Sequence, residues 1–214
     1  MTQRRLAAVR SALLALGLLA SGLANAQEDK ALTPNAHFMS GKLYLSQKVF
    51  DKAEHEFAAA VEGDTANAEY RTYWATSLCE VAVMNLGSAS SISDAAERRT
   101  ALKAISDQLA EASRQFDRAG AMDPRKQASA AEDNRQHYWV DIYKQGLALI
   151  EAKRYEDAID VFGLTNTLDP KDPSGVFQVA YANRQLGNTG EAVATAKRAK
   201  EMAQARLGEL GDCS

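Results

Sequence analysis

A glycine, an alanine twelve residues later and a phenylalanine four residues after that occur in this order twice, and the repeat constrains the fold more than any other feature. The two copies are Gly41, Ala53, Phe57 and Gly146, Ala158, Phe162. A fixed internal pattern of this kind is typical of chains that stack several copies of one supersecondary unit. The sequence therefore predicts a repeat architecture.

Two further stretches carry parts of the same pattern. Near the middle, Ala112 precedes Phe116 by four residues, and Pro124 follows that phenylalanine after eight, as Pro170 follows Phe162. A weaker copy near the C-terminus consists of small and apolar residues: Val176, Val179, Ala180, Gly187, Ala192, Ala196 and Ala199. We expect about four repeats.

The composition favours helices in every repeat. The four prolines lie outside the long apolar patterns, alanine recurs at helical spacing, and runs of alternating β-branched residues are absent from the sequence. The fold class is predicted to be all-α. The expected helices are 35–48, 51–63, 68–86, 94–120, 130–152, 155–168, 174–187 and 189–207.

The spacing has a simple physical reading. A glycine or alanine in the first helix of a unit allows the second helix to approach closely, and the small residue Ala53 or Ala158 lies at the crossing point. Phe57 and Phe162 then fill the gap toward the next unit. Pro170 ends the second helix, because proline disfavours a helical conformation in the residue before it.

These residues resemble the tetratricopeptide repeat, a helix–turn–helix unit of 34 residues. The resemblance is carried by Gly41, Tyr44, Ala53, Phe57 and Ala60 and by Gly146, Ala158, Phe162 and Pro170. It implies a right-handed solenoid of helix hairpins over residues 34–207, with a polar last helix acting as its own cap. It also implies that the first helix of each hairpin lines a concave, ligand-binding face.

The second repeat departs from the family because its second helix, 94–120, is about twice the usual length. Its apolar residues recur in steps of three and four, which is typical of a coiled-coil-like seam: Leu102, Ile105, Leu109, Ala112, Phe116 and Ala119. Two interpretations follow. Either the long hairpin protrudes as a docking or dimer contact, or the long helix packs only on its long neighbour.

The first 26 residues have the layout of a secretory signal peptide. Arg4, Arg5 and Arg10 precede an apolar run over 12–23, and Ala24-Asn25-Ala26 forms a small-x-small cleavage site. We predict cleavage after Ala26, a linker over 27–33, a flexible tail over 208–214, and a periplasmic or secreted protein. The alternative is an uncleaved anchor, which would make the protein a membrane-tethered sensor.

Charge and residue types argue against several functions. Without the signal peptide the net charge falls from −3 to about −6, whereas nucleic-acid binding needs a basic face. His37, His55 and His137 lack metal-ligand spacing, and the chain has no phosphate-binding glycine loop or nucleophile motif. We therefore predict no enzyme activity, metal, cofactor, nucleic acid or small-molecule substrate. Two states of the cysteines are left as alternatives: a disulfide between Cys79 and Cys213, or two unpaired thiols.

The family's ligand-facing spacing, carried over to this chain, gives a predicted partner-binding groove of twelve residues. They are Phe38, Lys42, Leu45, Thr72, Thr76, Glu80, Tyr143, Leu147, Glu151, Phe177, Tyr181 and Arg184. Phe38 and Tyr143 stand where one branch of the family needs basic residues to grip a terminal carboxylate, so that clamp is not supported. Some of these aromatic residues could instead belong to the core between helices.

The resemblance implies a protein-binding adaptor or scaffold of the cell envelope, holding a peptide or helix of an envelope protein in a groove with aromatic anchors. The alternative hypothesis is a structural, self-assembling dimer that pairs through the long hairpin at 94–120.

Overall fold

The structure, a computed structural model, describes the backbone of residues 32–211 and the side chains of residues 32–208. This part of the chain forms eight helices: α1 (Pro34–Ser46), α2 (Phe50–Gly63), α3 (Ala68–Ala89), α4 (Ala95–Met122), α5 (Gln127–Glu151), α6 (Tyr155–Leu168), α7 (Ser174–Gln185) and α8 (Thr189–Gly211). Each odd-numbered helix packs against the helix that follows it. The prediction of an all-α array of helix hairpins is confirmed, and none of these helices is apolar over enough length to cross a membrane.

Three helices begin at capping residues that can be read from the sequence. The side chains of Thr33, Asn67 and Asp94 each accept a hydrogen bond from a backbone N–H three residues later, at 3.2, 3.2 and 2.8 Å. Such bonds satisfy donors that a helix start leaves unpaired. They explain why the predicted starts of α1, α3 and α4 lie within one residue of the observed ones.

The helix ends differ more from prediction. The middle helices are longer than expected: α3 continues to Ala89, α4 to Met122, and α5 begins at Gln127. α8 continues to Gly211, so the predicted tail over 208–214 overlaps the end of a helix. Residues 1–31 and 212–214, which include the predicted signal peptide and Cys213, lie outside the described residues.

The glycine–phenylalanine pairs lie at the helix crossings of the first and third hairpins. A β-carbon on Gly41 would come within 2.6 Å of the Phe57 ring, and one on Gly146 would come equally close to Phe162. Both phenylalanines are completely buried. Glycine is required at these crossings because a larger residue would displace the ring from the gap between the helices.

Two hydrophobic cores share α3. The first joins α1, α2 and the N-terminal part of α3, and it contains Phe38, Phe57 and Tyr70. The second extends from Ala75 of α3 through α4 and α5 to α6. Trp74 packs against both cores.

The long seam of α4 is part of the second core. Ile105, Leu109 and Phe116 are at most 2% exposed, and they pack among residues of α3 and α5. Arg135 of α5 forms an ion pair with Asp117 of α4, which joins these two long helices. The seam is therefore covered within the chain, and dimerisation through it, as the alternative hypothesis required, would need the core to open.

The same turn geometry links the helices of the first, third and fourth hairpins. Lys48 and Lys153 have φ angles of 59° and 57°, and Gly187 has a φ of 81°. These residues occupy equivalent positions just after α1, α5 and α7. The left-handed conformation is easy for glycine but strained for lysine.

Candidate functional site

The first, third and fourth hairpins can be compared residue by residue. The crossing glycine of the first and third hairpins is replaced by Ala180 in the fourth. The phenylalanine that follows this glycine after sixteen residues is replaced by Ala196. Phe38, Tyr143 and Phe177 occupy one further equivalent position, three residues before the crossing residue. The last hairpin therefore has the aromatic residue of its first helix but lacks the ring on its second.

The surroundings of this aromatic residue differ between the three hairpins. Phe38 lies 5.8 Å from Phe57, and Tyr143 lies 5.3 Å from Phe162, measured between ring centroids. Phe177 has only Ala196 at the matching place and is 59% exposed. An open groove remains between α7 and α8.

We call this feature the C-terminal groove. It has a volume of about 600 Å³ and is lined by residues of both helices: Phe177, Gln178, Ala180, Tyr181, Arg184, Thr189, Ala192, Val193 and Ala196. Tyr181 is 43% exposed and Val193 is 65% exposed, although both are large apolar side chains. Arg184 is the only charged residue in the lining. The surface is thus suited to another apolar surface.

The first hairpin does not present its predicted groove residues in the same way. Phe38 is 6% exposed and packs 4.5 Å from Tyr70 and 5.1 Å from Tyr73 between ring centroids. It is a core residue and not a ligand contact, which corrects the prediction. The ammonium group of Lys42 lies over Phe38 and Tyr73, and Leu45 packs against the same core.

The second hairpin uses its predicted groove residues for contacts within the chain. Thr72 is buried and donates a hydrogen bond to Gln127 of α5 at 2.8 Å, so it too is unavailable to a ligand. Thr76 bonds back to the carbonyl of Thr72, and Glu80 accepts a hydrogen bond from the hydroxyl of Tyr138. The bonds of Thr72 with Gln127 and of Glu80 with Tyr138 join α3 to α5.

The third hairpin is intermediate. Tyr143 stacks on Trp139 and packs on Phe162, and its hydroxyl oxygen accepts a hydrogen bond from Gln178 at 2.9 Å. Leu147 is half-buried and Glu151 is exposed. Of the predicted set, the structure brings Phe177, Tyr181 and Arg184 together in an open groove.

Sequence reasoning missed the α8 side of this groove. Val193 and Ala196 were absent from the predicted set because only the first helix of each hairpin was considered. A signal was present, since Ala196 occupies the register position of Phe57 and Phe162. In the other hairpins a ring at this position fills the gap between helices, so a small residue here indicates that the gap stays open.

The ionisable groups in the described part of the chain can be compared with what a metal ion or a reactive thiol requires. No group of three or more His, Cys, Asp or Glu residues there could hold a metal ion. Burial raises the pKa of the Cys79 thiol, which stays protonated and unreactive. Burial and the neighbouring Glu80 carboxylate likewise raise the pKa of Tyr138.

No family model and no curated protein matches this chain. Among solved structures, one of MamA is 20% identical, covers 78% of this chain and 96% of that one, and has a TM-score of 0.32. Another MamA structure is 19% identical, covers 82% of this chain and 94% of that one, and has a TM-score of 0.31. The TPR2AB domain of yeast Sti1, in a complex with pHSP90, is 14% identical, covers 79% of this chain and 77% of that one, and has a TM-score of 0.29.

These likenesses are too low to bear on function. The tetratricopeptide-like character of the fold rests instead on the paired helices, the glycine–phenylalanine crossings and the repeated left-handed turns. On that geometry, the described chain is a tetratricopeptide-like array of four helix hairpins.

Proposed function

We propose that this protein is a protein-binding scaffold of the cell envelope, and that the C-terminal groove holds an α-helix of its partner. The observation that carries the proposal is the exposure of Phe177, Tyr181 and Val193 around a groove of about 600 Å³. Exposed apolar surface concentrated in one concave site is typical of an interaction surface.

The shape of the expected ligand follows from the rest of the chain. In the first hairpin the corresponding groove is occupied by α3, whose Tyr73 contacts both Phe38 and Phe57. In the third hairpin it is occupied by α7, whose Gly175 lies directly against Thr165 of α6. A helix is therefore the element that fits this kind of groove, and the C-terminal groove lacks one among the described residues.

The binding energy would come from apolar burial. Each square ångström of apolar surface removed from water contributes roughly 25 cal/mol, and aromatic residues at the centre of an interface often contribute most. Phe177 and Tyr181 are the aromatic residues in the lining, so we assign them the largest share. Arg184 could pair with an acidic residue at the edge of the ligand.

The envelope location is supported by the predicted signal peptide over residues 1–26. N-terminal sequencing of the protein isolated from cells tests it. A start at Gln27 is the expected result. A start at the initiator methionine would replace the exported scaffold by a membrane-tethered or internal one.

A site-specific crosslinking experiment tests the groove. A photo-reactive amino acid is placed at Phe177, and in a control at the exposed Glu151 of α5. We expect crosslinks from position 177 to map to one helical segment of a protein, and we expect Val193→Glu to abolish them. Crosslinks that are equally frequent from position 151, or that persist with Val193→Glu, would contradict the assignment of this groove.

A further inference from the structure

α1 has a second apolar face that the described part of the chain leaves uncovered. Ala36, Met39 and Leu43 follow one another in steps of three and four residues, and so lie on one side of the helix. Met39 and Leu43 are each 56% exposed. The other side of α1 carries Phe38 and Gly41, which are buried in the first core.

This face of α1 is equivalent to the faces with which α3 and α7 pack on the preceding hairpin. In α3, the residue at the position of Met39 is Tyr73, which lies 5.1 Å from Phe38 between ring centroids. In α7, it is Gln178, which donates a hydrogen bond to Tyr143. In both helices the face is used for docking, and in α1 it is free within the described residues.

The C-terminal groove presents the matching half of that contact. Phe177 occupies the position of Phe38 and Tyr143, the residues on which the docking faces of α3 and α7 pack. Ala196 adds the space that a phenyl ring fills in the first and third hairpins. Methionine is unbranched and flexible, so Met39 can extend into irregular space of this kind.

The geometry points to α1 of a second copy of this chain as the helix that occupies the C-terminal groove. Copies would then join head to tail, with each α1 continuing the array of the copy before it. The inference rests on the proposed function, because it names the ligand of that same groove. Ala36, Met39 and Leu43 carry no charge, in keeping with a groove lined by a single charged residue.

The expected assembly has a definite symmetry. The two surfaces in contact are different, so the interface is heterologous, and the assembly as a whole keeps one free groove at one end and one free α1 at the other. Repeat arrays usually end in polar caps, and α8 is predicted to be such a cap, but its groove side exposes Val193. An array with apolar surface at both ends is suited to growth by addition of further copies. The mass of the assembly should therefore increase with concentration beyond that of a dimer.

Two variants that each block one end make the test decisive. Met39→Glu places a charge on the docking face of α1, and Val193→Glu places one in the groove. Both positions are well exposed, and circular dichroism of each variant checks that the fold is kept. Ala194→Glu, at an exposed α8 position outside the groove lining, is the matched control.

Sedimentation velocity is measured on the naturally processed protein purified from cells. We expect the wild type and Ala194→Glu to associate beyond the dimer, and each blocking variant alone to be monomeric. An equimolar mixture of the two blocking variants should form a dimer and nothing larger, because one copy supplies an intact groove and the other an intact α1.

Two results would overturn the inference. One is a wild-type protein that stays monomeric at its highest soluble concentration, and the other is a mixture of blocking variants that stays monomeric while the wild type associates. If the wild type is monomeric but position 177 still crosslinks to a helix of another protein, the partner named here is wrong and the proposed function stands.

Discussion

The third and fourth hairpins have the same helix order and the same turn, but their crossings are built differently. In the third, Gly146 makes room for the ring of Phe162, which is fully buried. In the fourth, Ala180 and Ala196 replace that pair and leave a groove of about 600 Å³. The fourth hairpin differs from the third in two ways, because it lacks the glycine–phenylalanine pair and no described helix packs on it as α7 packs on the third, and its crossing is open to solvent.

The largest effect in this comparison should come from removing the ring. Phe162→Ala empties a fully buried site, so we expect a loss of about 3–5 kcal/mol in the free energy of unfolding, measured by urea denaturation. Ala196→Gly, the control at the equivalent position, should lose only about 1 kcal/mol through helix propensity. Similar losses for both variants would mean that the two crossings are equally packed.

A smaller effect with a change of sign is expected at Gly146. Gly146→Ala should lower the free energy of unfolding by roughly 1–2 kcal/mol, because its β-carbon overlaps the Phe162 ring and overpacking outweighs the gain in helix propensity. In a Phe162→Ala background the same substitution should instead raise it by about 1 kcal/mol. A double-mutant cycle measures the coupling, and additive effects would contradict the close contact.

The reverse exchange should stabilise the last hairpin modestly. Ala180→Gly combined with Ala196→Phe reproduces the third hairpin's pair, and burial of the new ring against Phe177 should outweigh the cost of the glycine by about 1 kcal/mol. Ala196→Phe alone should gain less, since the β-carbon of Ala180 remains at the crossing. Thermal unfolding of the three variants decides between these outcomes.

The smallest effect on stability is expected for the aromatic residues of the groove. Tyr181→Ala and Phe177→Ala should each change the free energy of unfolding by about 0.5 kcal/mol, because roughly half of each residue is exposed to solvent. Phe38→Ala, the buried equivalent of Phe177, should cost about 3–5 kcal/mol under the same conditions. A large loss at position 177 would show that this ring belongs to the core after all.

Much of the fold could be predicted because its determinants are local. Gly41 with Phe57 and Gly146 with Phe162 identify the crossings, and the capping residue Asp94 places the start of α4. The C-terminal end of α3 and the N-terminal end of α5 were less predictable. Residues 87–89 and 127–129 are small or polar, so their own helix propensity does not extend the helices this far. Ala89 is buried in the second core, and Gln127 accepts a hydrogen bond from Thr72 of α3, and such contacts depend on distant parts of the chain.

The candidate site could be predicted only in its fourth-hairpin part. An aromatic residue at the position of Phe38 or Phe177 can face either a ligand or a ring on the next helix. Its distance along the sequence from the crossing residue is the same in both cases, so this distance does not distinguish them. The outcome depends on whether the second helix carries a ring and whether another helix follows: Phe57 and Tyr73 of α3 both pack on Phe38, whereas Phe177 has Ala196 at the first place and no described helix at the second. Comparing equivalent positions on both helices, rather than the first helix alone, would have separated Phe38 from Phe177.

The continuity of α3 has a consequence for how the molecule opens. One helix contributes residues to both cores. Once its N-terminal half is ordered against α1 and α2, its C-terminal half can extend more easily, because elongation of a helix costs less free energy than nucleation. We expect the amides of α3 and α4 to be the last to exchange with deuterated solvent and those of α8 the first. A protease would then begin at the C-terminal end, and whatever fills the groove there would also lengthen the lifetime of the protein.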